Sequence, residues 1–328
     1  MIPSGAPSGP IWTRLAPSPT GALHLGNLRT FAINWALARQ RGWRILLRIE
    51  DLDGPRITPG ASEQMVEMLA WLGFDWDAGP IAQSADPEPY RAAMQALRSA
   101  GAAYPSALSR KEAAEAASAP HARTPGAARP PVFGPAHRPP IEAGPFDQPR
   151  ENHRFAIPAD AQHRAWVAFH DEFAGPQRID VATEAGDVVI WRREGLPAYQ
   201  LAVVVDDARQ GVSAIVRGDD LIPSAACQLL LAHALGLEPE PRYWHLPLVV
   251  GPDGRRLAKR HGDTRLHRYR ADGTPPERLV GLVAWSCGVV TDRAPMMLTE
   301  FAEAFDLARL DPNPYIFTEE DDRWLVAR

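Results

Sequence analysis

The stretch Arg14-Leu15-Ala16-Pro17-Ser18-Pro19-Thr20-Gly21-Ala22-Leu23-His24-Leu25-Gly26-Asn27 constrains the chain most: an apolar run breaks into a Pro/Gly turn and then enters a helix. The pattern predicts a strand over residues 11–16, its exit loop over 17–23, and a helix over 26–41. At such a junction the unpaired N–H groups of the first helical turn face whatever the loop holds, and an anionic phosphate is the natural occupant. Gly21 and Gly26 permit close backbone approach, and His24 places one imidazole just ahead of the helix. The same residues also suit an ordinary tight βα turn with a surface histidine, and this segment alone does not decide between the two.

A second segment, Gly254-Arg255-Arg256-Leu257-Ala258-Lys259-Arg260-His261-Gly262, is basic and bounded by glycines, which suits it to bring Lys259 onto the same phosphates. Taken alone it reads more readily as a solvated basic face. Together the two segments resemble the paired signatures of the class I aminoacyl-tRNA synthetases, the HIGH type at His24 to Asn27 and the KMSKS type at Arg256 to Arg260. Three longer runs resemble the glutamyl branch of that family: Arg14 to Gly21, Arg48-Ile49-Glu50-Asp51-Leu52-Asp53, and Tyr199 to Asp207. Several long motifs in the right order carry more weight than any one of them.

Composition is compatible with this resemblance and excludes other classes. The 328 residues suffice for a sizeable core and for two or so structural units. There is no apolar run long enough to span a bilayer, and residues 1–10 lack the basic and apolar parts of an export signal. The two cysteines, Cys227 and Cys287, lie in apolar segments and read as small buried hydrophobes, so a cytoplasmic protein without disulfides or membrane partner is expected. A formal net charge of −5 argues against a broadly basic surface but leaves room for a local arginine-rich face that meets tRNA.

In chain order, residues 45–49 read as a strand ending in Glu50, Asp51 and Asp53, at the end of a parallel strand where open α/β sheets bind ligands. Glu50 suits a substrate ammonium, whereas Asp51 and Asp53 suit the capping of the turn at Gly54-Pro55. Met65, Met68, Leu69 and Leu72 form a core stripe on a helix over 59–72. Asp86 as N-cap and Pro87 at the first position open a second helix with Tyr90, Ala93, Met94 and Leu97 on one face. From Tyr104 the composition shifts, and residues 118–149 are rich in proline, alanine and glycine, as expected of an extended or mobile insertion.

Strands are then expected over 187–192, 199–205, 212–216 and 245–250, with a helix over 223–235. The run Tyr199 to Val205 reads as a parallel strand buried on both faces. Arg217 falls at a strand's carboxyl end, where it suits either a two-pronged grip on a carboxylate or pairing with Asp207, Asp219 or Asp220. The fold class expected is α/β: a doubly wound, parallel Rossmann-type sheet split by an insertion and followed by a short helical region. The expected divisions are 1–104, the insertion 105–175, 176–265 and the helical part 266–328.

The resemblance supplies roles that spacing does not. It implies that Arg14 and Arg217 partner substrate carboxylates, that Ser18 and Tyr199 contact the amino acid, and that Glu50 meets its ammonium group. His24, Gly26, Asn27, Arg256 and Lys259 are implied to handle ATP, with His24 and Lys259 catalytic and Mg²⁺ carried in by the nucleotide. Arg256 stands for the usual first lysine of the loop and Ala258 for the usual serine, so loop closure is expected to be retuned. Relatives commonly carry zinc on a Tyr-x-Cys-x-Cys motif; here Ser106 and Leu108 replace the thiolates and His121, His137 and His153 are scattered, so no structural zinc is expected.

The helical segments after Lys259 resemble only the start of the region that follows the catalytic domain in the family, and no anticodon-binding domain is recognised. The resemblance therefore implies a short, monomeric form that activates glutamate with ATP and passes it to the queuosine base at the wobble position of tRNA(Asp). The alternatives are glutamate charging of the 3′ end of tRNA(Glu), and a non-catalytic relative serving as an RNA- or protein-binding module.

Overall fold

The computed structural model describes residues 9–19, 23–52, 57, 59–107, 133–134, 138–147, 149–255, 257 and 264–327. Trp12–Leu15 forms β1 and Leu25–Arg41 forms α1, which stops at Gly42 because the chain there turns left-handed, with φ of 67°. Arg44–Ile49 is β2, parallel to β1 with Leu15 opposite Leu47. Ala61–Trp71 is α2, Ala78–Ala82 is β3, parallel to β2, and Glu88–Ser99 is α3. The predicted stripes face inward: Met65, Met68 and Leu69 of α2, and Tyr90, Ala93, Met94 and Leu97 of α3, are buried. Pro87 caps α3 rather than opening it, and Asp86 accepts from the Glu88 amide at 3.4 Å.

Ala103–Pro105 (β4), His153–Phe155 (β5), Trp166–Asp171 (β6) and Gly175–Asp180 (β7) follow, then Val181–Glu184 (α4), Val189–Arg192 (β8) and Leu196–Pro197 (β9). Strands β4, β5, β8 and β9 make one antiparallel sheet in that order. Its hub is the buried Asp187 carboxylate, which accepts the Tyr104 hydroxyl at 2.6 Å, Arg138 at 2.6 and 2.7 Å, and the Ile157 amide at 3.0 Å. Ser106 accepts from Arg154 Nε at 3.1 Å; Leu108 lies outside the described residues. Segment 105–175 contributes to two sheets, because β5 lies in this one while β6 pairs with a later strand.

Tyr199–Arg209 is α5, Ala214–Gly218 is β10, Ile222–Ala234 is α6, Arg242–Leu246 is β11 and Val249–Val250 is β12. Strand β10 pairs with β11 and β11 with β6, all parallel, and β7 closes the edge as an antiparallel hairpin. A parallel bridge between Trp12 and Val212, with the Ser213 amide donating to the Trp12 carbonyl at 3.0 Å, sets β10 beside β1. The strand order is thus β3-β2-β1-β10-β11-β6-β7, and the order reverses between β1 and β10. A doubly wound sheet opens a crevice at that point, at the carboxyl ends of its strands.

Two expected strands differ. The run from Tyr199 is helix α5, because residues 200–207 are all buried and an apolar run closed in on every side carries no period that separates strand from helix. Its three valines favour a strand locally, but packing into the core with Tyr90, Met94, Ile190 and Cys227 prevails. The strand expected over 245–250 is cut in two at Pro247, which has no N–H to donate and whose carbonyl accepts Arg29 Nη1 at 2.6 Å.

Leu266–Ala271 (α7), Pro276–Ser286 (α8), Leu298–Ala304 (α9), Tyr315–Ile316 (β13) and Glu319–Val326 (α10) complete the chain. Leu279, Val283, Phe301 and Phe305 pack with Leu28, Ala32 and Trp35 of α1 in one core, and β13 pairs with β12. Among the described residues no helix is long and apolar enough to cross a membrane.

Asn34 fixes α1 to the end of β1: its side chain accepts the Thr13 hydroxyl at 2.9 Å and donates to the Arg14 carbonyl at 3.0 Å in a fully buried setting. Asn34→Ala removes both partners and is expected to cost about 1–3 kcal/mol in urea unfolding. An unchanged midpoint and slope would show that this clamp does not hold the strand.

Candidate active site

His24 is the N-cap of α1. Its Nδ1 accepts the amides of Gly26 at 3.0 Å and Asn27 at 3.3 Å, and Asn27 Oδ1 accepts the His24 amide at 3.1 Å in return. The Leu25 and Leu28 amides go to the carbonyls of Thr264 and His24. The expectation that first-turn N–H groups are left open for a phosphate is therefore corrected, since all four are satisfied within the chain. An Nδ1 that accepts two amides carries no proton, so the neutral ring holds its proton on Nε2 and donates from there. Gly26 is required by this packing, because a Cβ would lie 2.9 Å from Cε1 of His24 and 3.0 Å from its Nδ1.

The segment expected to carry Lys259 begins and ends beside this cap. His24 forms an antiparallel bridge with Arg265, Leu266 donates to the Leu23 carbonyl at 2.8 Å, and Leu257 is buried in the core that includes Leu25. Lys259, Arg256, Ala258 and Gly21 themselves lie outside the described residues.

A second cluster gathers at the carboxyl ends of β1, β2 and β10. Arg14, on β1, reaches Asp207 Oδ1 at 3.4 Å and the Val216 carbonyl at 3.4 Å. Arg48, wholly buried on β2, donates to Asp207 at 2.7 Å, Gln210 at 3.0 Å and Glu50 at 3.2 Å. Burial works against the Asp207 charge, yet Arg48 and Arg14 hold its carboxyl below the usual carboxylate range. For Glu50 burial prevails and raises the pKa, against the pull of Arg48 and Arg14. The Glu50 amide donates to the Pro17 carbonyl at 2.9 Å, which brings the exit loop with Ser18 to the end of β2. Burial raises the Tyr199 phenol, whose charged neighbours are Arg217, Glu50, Arg14 and Asp207.

Arg217, on β10, is only 5% exposed, and its hydrogen-bond partners among the described residues are all neutral: Nε donates to His245 Nε2 at 3.0 Å, Nη1 to Gln228 Oε1 at 2.9 Å and Nη2 to the Leu221 carbonyl at 3.4 Å. Gln228 is held in turn by Gln200 at 2.9 Å. Among the described residues none of Asp207, Asp219 and Asp220 forms an ion pair with it, although its charge reaches Asp207. The structure thus brings Arg14, Glu50, Tyr199 and Arg217 into one electrostatic neighbourhood, and His24, Gly26 and Asn27 into one cap. Sequence reasoning missed Arg48, Asp207 as an anchor, Gln228, His245 and Asp171. Arg48 was legible, two residues before Glu50 on the same face of a strand. His245 and Asp171 carried no local signal, being 74 residues apart.

Burial holds the His245 imidazole down at about 4, against the pull of Asp171. The unfolded chain titrates this group near 6.5, so between pH 6.5 and about 4 it binds more protons than the folded chain, and stability falls as pH falls. Between pH 7 and pH 5 the wild type is expected to lose about 2 kcal/mol more than His245→Gln in urea unfolding. The opposite shifts of Glu50 and Asp219, both raised by burial, are common to the two proteins and cancel in the difference. Parallel stability curves would contradict a neutral, buried His245.

Comparison with known proteins gives a consistent result. Residues 10–324 match the family described as tRNA synthetases class I (E and Q), catalytic domain. A glutamyl-Q tRNA(Asp) synthetase of Symbiobacterium thermophilum is 44% identical over 315 residues, covering 92% of this chain and 94% of its own. One from Rhodopirellula baltica is 45% identical over 290 residues, 85% of each chain. The crystal structure of a glutamate tRNA ligase from Elizabethkingia meningosepticum in complex with its amino acid superposes with a TM-score of 0.74 at 26% identity, over 97% of this chain and 69% of that one. The chain belongs to the class I tRNA synthetases of the E and Q type and carries their catalytic domain.

Proposed function

We propose that this chain is a ligase that activates glutamate with ATP and transfers the glutamyl group to the queuosine base at the wobble position of tRNA(Asp). The observation that carries the amino-acid half is the Arg217 guanidinium, buried and, among the described residues, held only by neutral acceptors. Its charge suits a carboxylate, while the Glu50 carboxyl across the cluster, 16% exposed and paired with Arg48, suits an ammonium group. Arg14 would meet a second carboxylate, with Ser18 and Tyr199 adding polar contacts.

In the first step a glutamate carboxylate oxygen attacks the α-phosphorus of ATP and pyrophosphate leaves. The added negative charge on phosphate oxygens is met by His24 donating from Nε2 and by Lys259, with Mg²⁺ arriving on the nucleotide as part of the substrate. In the second step a nucleic-acid hydroxyl attacks the carbonyl of the mixed anhydride and AMP leaves. No protein nucleophile takes part.

The choice of acceptor rests on the relatives: those named glutamyl-Q tRNA(Asp) synthetase align over 78–94% of their own length, whereas a glutamate–tRNA ligase of Synechococcus sp. (strain JA-2-3B'a(2-13)), 39% identical, aligns over 57% of its own. A second reading, charging of the 3′ end of tRNA(Glu), is favoured by the superposition on the Elizabethkingia ligase. The two separate with labelled glutamate, ATP and two acceptors. Label on a queuosine-bearing anticodon stem–loop of tRNA(Asp), which has no acceptor end, supports the first; label on the acceptor end of tRNA(Glu) alone supports the second.

Arg217→Ala is expected to raise the glutamate KM about 10- to 100-fold, the worth of a lost charged hydrogen bond or two, with the ATP KM unchanged. Equal rises for both substrates would make Arg217 structural. Lys259→Ala is expected to slow adenylate formation about 10²- to 10³-fold in a protein whose far-UV circular dichroism is unaltered. A wild-type adenylation rate in that protein would remove Lys259 from the chemistry.

A further inference from the structure

We infer that Asp171 is a positioning residue for Arg217, acting through the tautomer it imposes on His245. This rests on the proposed role of Arg217 as the partner of a substrate carboxylate.

Asp171 ends β6, opposite Tyr243 of β11, and is fully buried. Its two oxygens are not equivalent. Oδ1 accepts the backbone amides of Phe173 at 3.0 Å and Ala174 at 2.7 Å, Oδ2 lies 2.6 Å from His245 Nδ1, and the His245 amide is shared between the two oxygens at 3.2 Å each. On its far side the His245 ring meets Arg217 Nε at 3.0 Å. A guanidinium nitrogen only donates and a carboxylate only accepts, so the ring between them has one consistent state: Nδ1 carries the proton and Nε2 accepts. The ring lies 5.6 Å from the Tyr243 ring at 15° and is 1% exposed, so it has no room to turn away.

The consequence falls on the guanidinium. Nε is taken by His245, one N–H of Nη1 by Gln228 and one of Nη2 by the Leu221 carbonyl. One N–H remains on each terminal nitrogen, the number that a two-pronged carboxylate grip uses. The relay thereby fixes the plane of the fork before any ligand arrives, and a preorganised fork loses less freedom on binding. The arrangement needs three elements far apart in sequence, β6, β10 and β11, in register at one end of the sheet.

The asymmetry of Asp171 makes the role testable with one atom. In Asp171→Asn the two backbone amides at the Oδ1 position select the amide oxygen, which puts the NH₂ group against His245 Nδ1. Nδ1 must then accept, the proton moves to Nε2, and Nε2–H faces the Arg217 Nε–H as donor against donor. The guanidinium has to turn. Asp171→Asn is expected to raise the glutamate KM at least about tenfold in ATP–pyrophosphate exchange, with the ATP KM within about twofold of wild type. In ¹⁵N-histidine-labelled protein the His245 proton is expected on Nδ1 in the wild type and on Nε2 in the variant.

Glutamine at position 245 offers an oxygen to Arg217 whichever group faces it from position 171. Asp171→Asn/His245→Gln is therefore expected to show no higher glutamate KM than His245→Gln alone, whereas independent structural losses would add. Should Asp171→Asn fail to fold, His245→Phe and His245→Gln answer the same question, because phenylalanine keeps the ring and lacks the acceptor: a higher glutamate KM for the phenylalanine variant supports the relay, and equal values overturn it. An unmoved tautomer, an unmoved glutamate KM or equal rises for glutamate and ATP overturn it as well. Absence of glutamate-dependent exchange in the wild type sinks the proposed function itself, and is distinguishable from a wild type that exchanges beside an Asp171→Asn variant that matches it.

Discussion

The site depends on one buried carboxylate. Asp207, brought in by α5, takes Arg48 from β2 at 2.7 Å and Arg14 from β1 at 3.4 Å, and so ties a helix to two neighbouring strands at the crevice of the sheet. Arg48 continues from Asp207 to Glu50 at 3.2 Å, so a chain of alternating charge runs along the strand ends. Groups like these are stable in a dry interior only when paired, and removing one partner strands the other at a cost of about 3–5 kcal/mol. Among the described residues, Arg217 at the edge of this cluster has only neutral hydrogen-bond partners, while Glu50 shares Arg48 with Asp207. A site that satisfied every charge internally would have nothing with which to recognise a zwitterion.

Much of this was legible in the sequence, and the failures have physical causes. The strand–turn–helix at Arg14 to Asn27 and the inward stripes of α2 and α3 were readable because periodicity and capping are local. Helix α5 was not, since a run buried on all sides loses its period, and Val203-Val204-Val205 points locally to a strand. The open helix end was over-read: the sequence places His24 next to free amides but does not reveal that its own ring closes two of them. Arg217 was left undecided between ligand and ion pair, because which carboxylates reach it is settled only by packing.

The two clusters are linked through the backbone rather than through side chains. The exit loop of β1 carries Ser18 beside Glu50 and then runs to the His24 cap, while the chain before and after Lys259 is fastened to α1 at Leu257 and Thr264. Strand β12, which leads into that segment, is paired on its other side by β13 from the C-terminal helical region. The carboxylate–arginine cluster and the His24 cap therefore lie on consecutive elements of the chain, β1 and α1.

The central claim is that this chain's own residues complete the glutamate site. ATP–pyrophosphate exchange, measured as a function of glutamate with no tRNA present, tests it most directly. Saturable exchange that depends on glutamate is the predicted result. Exchange that arises only on adding tRNA(Glu) would contradict it, because the site would then need the nucleic acid to assemble.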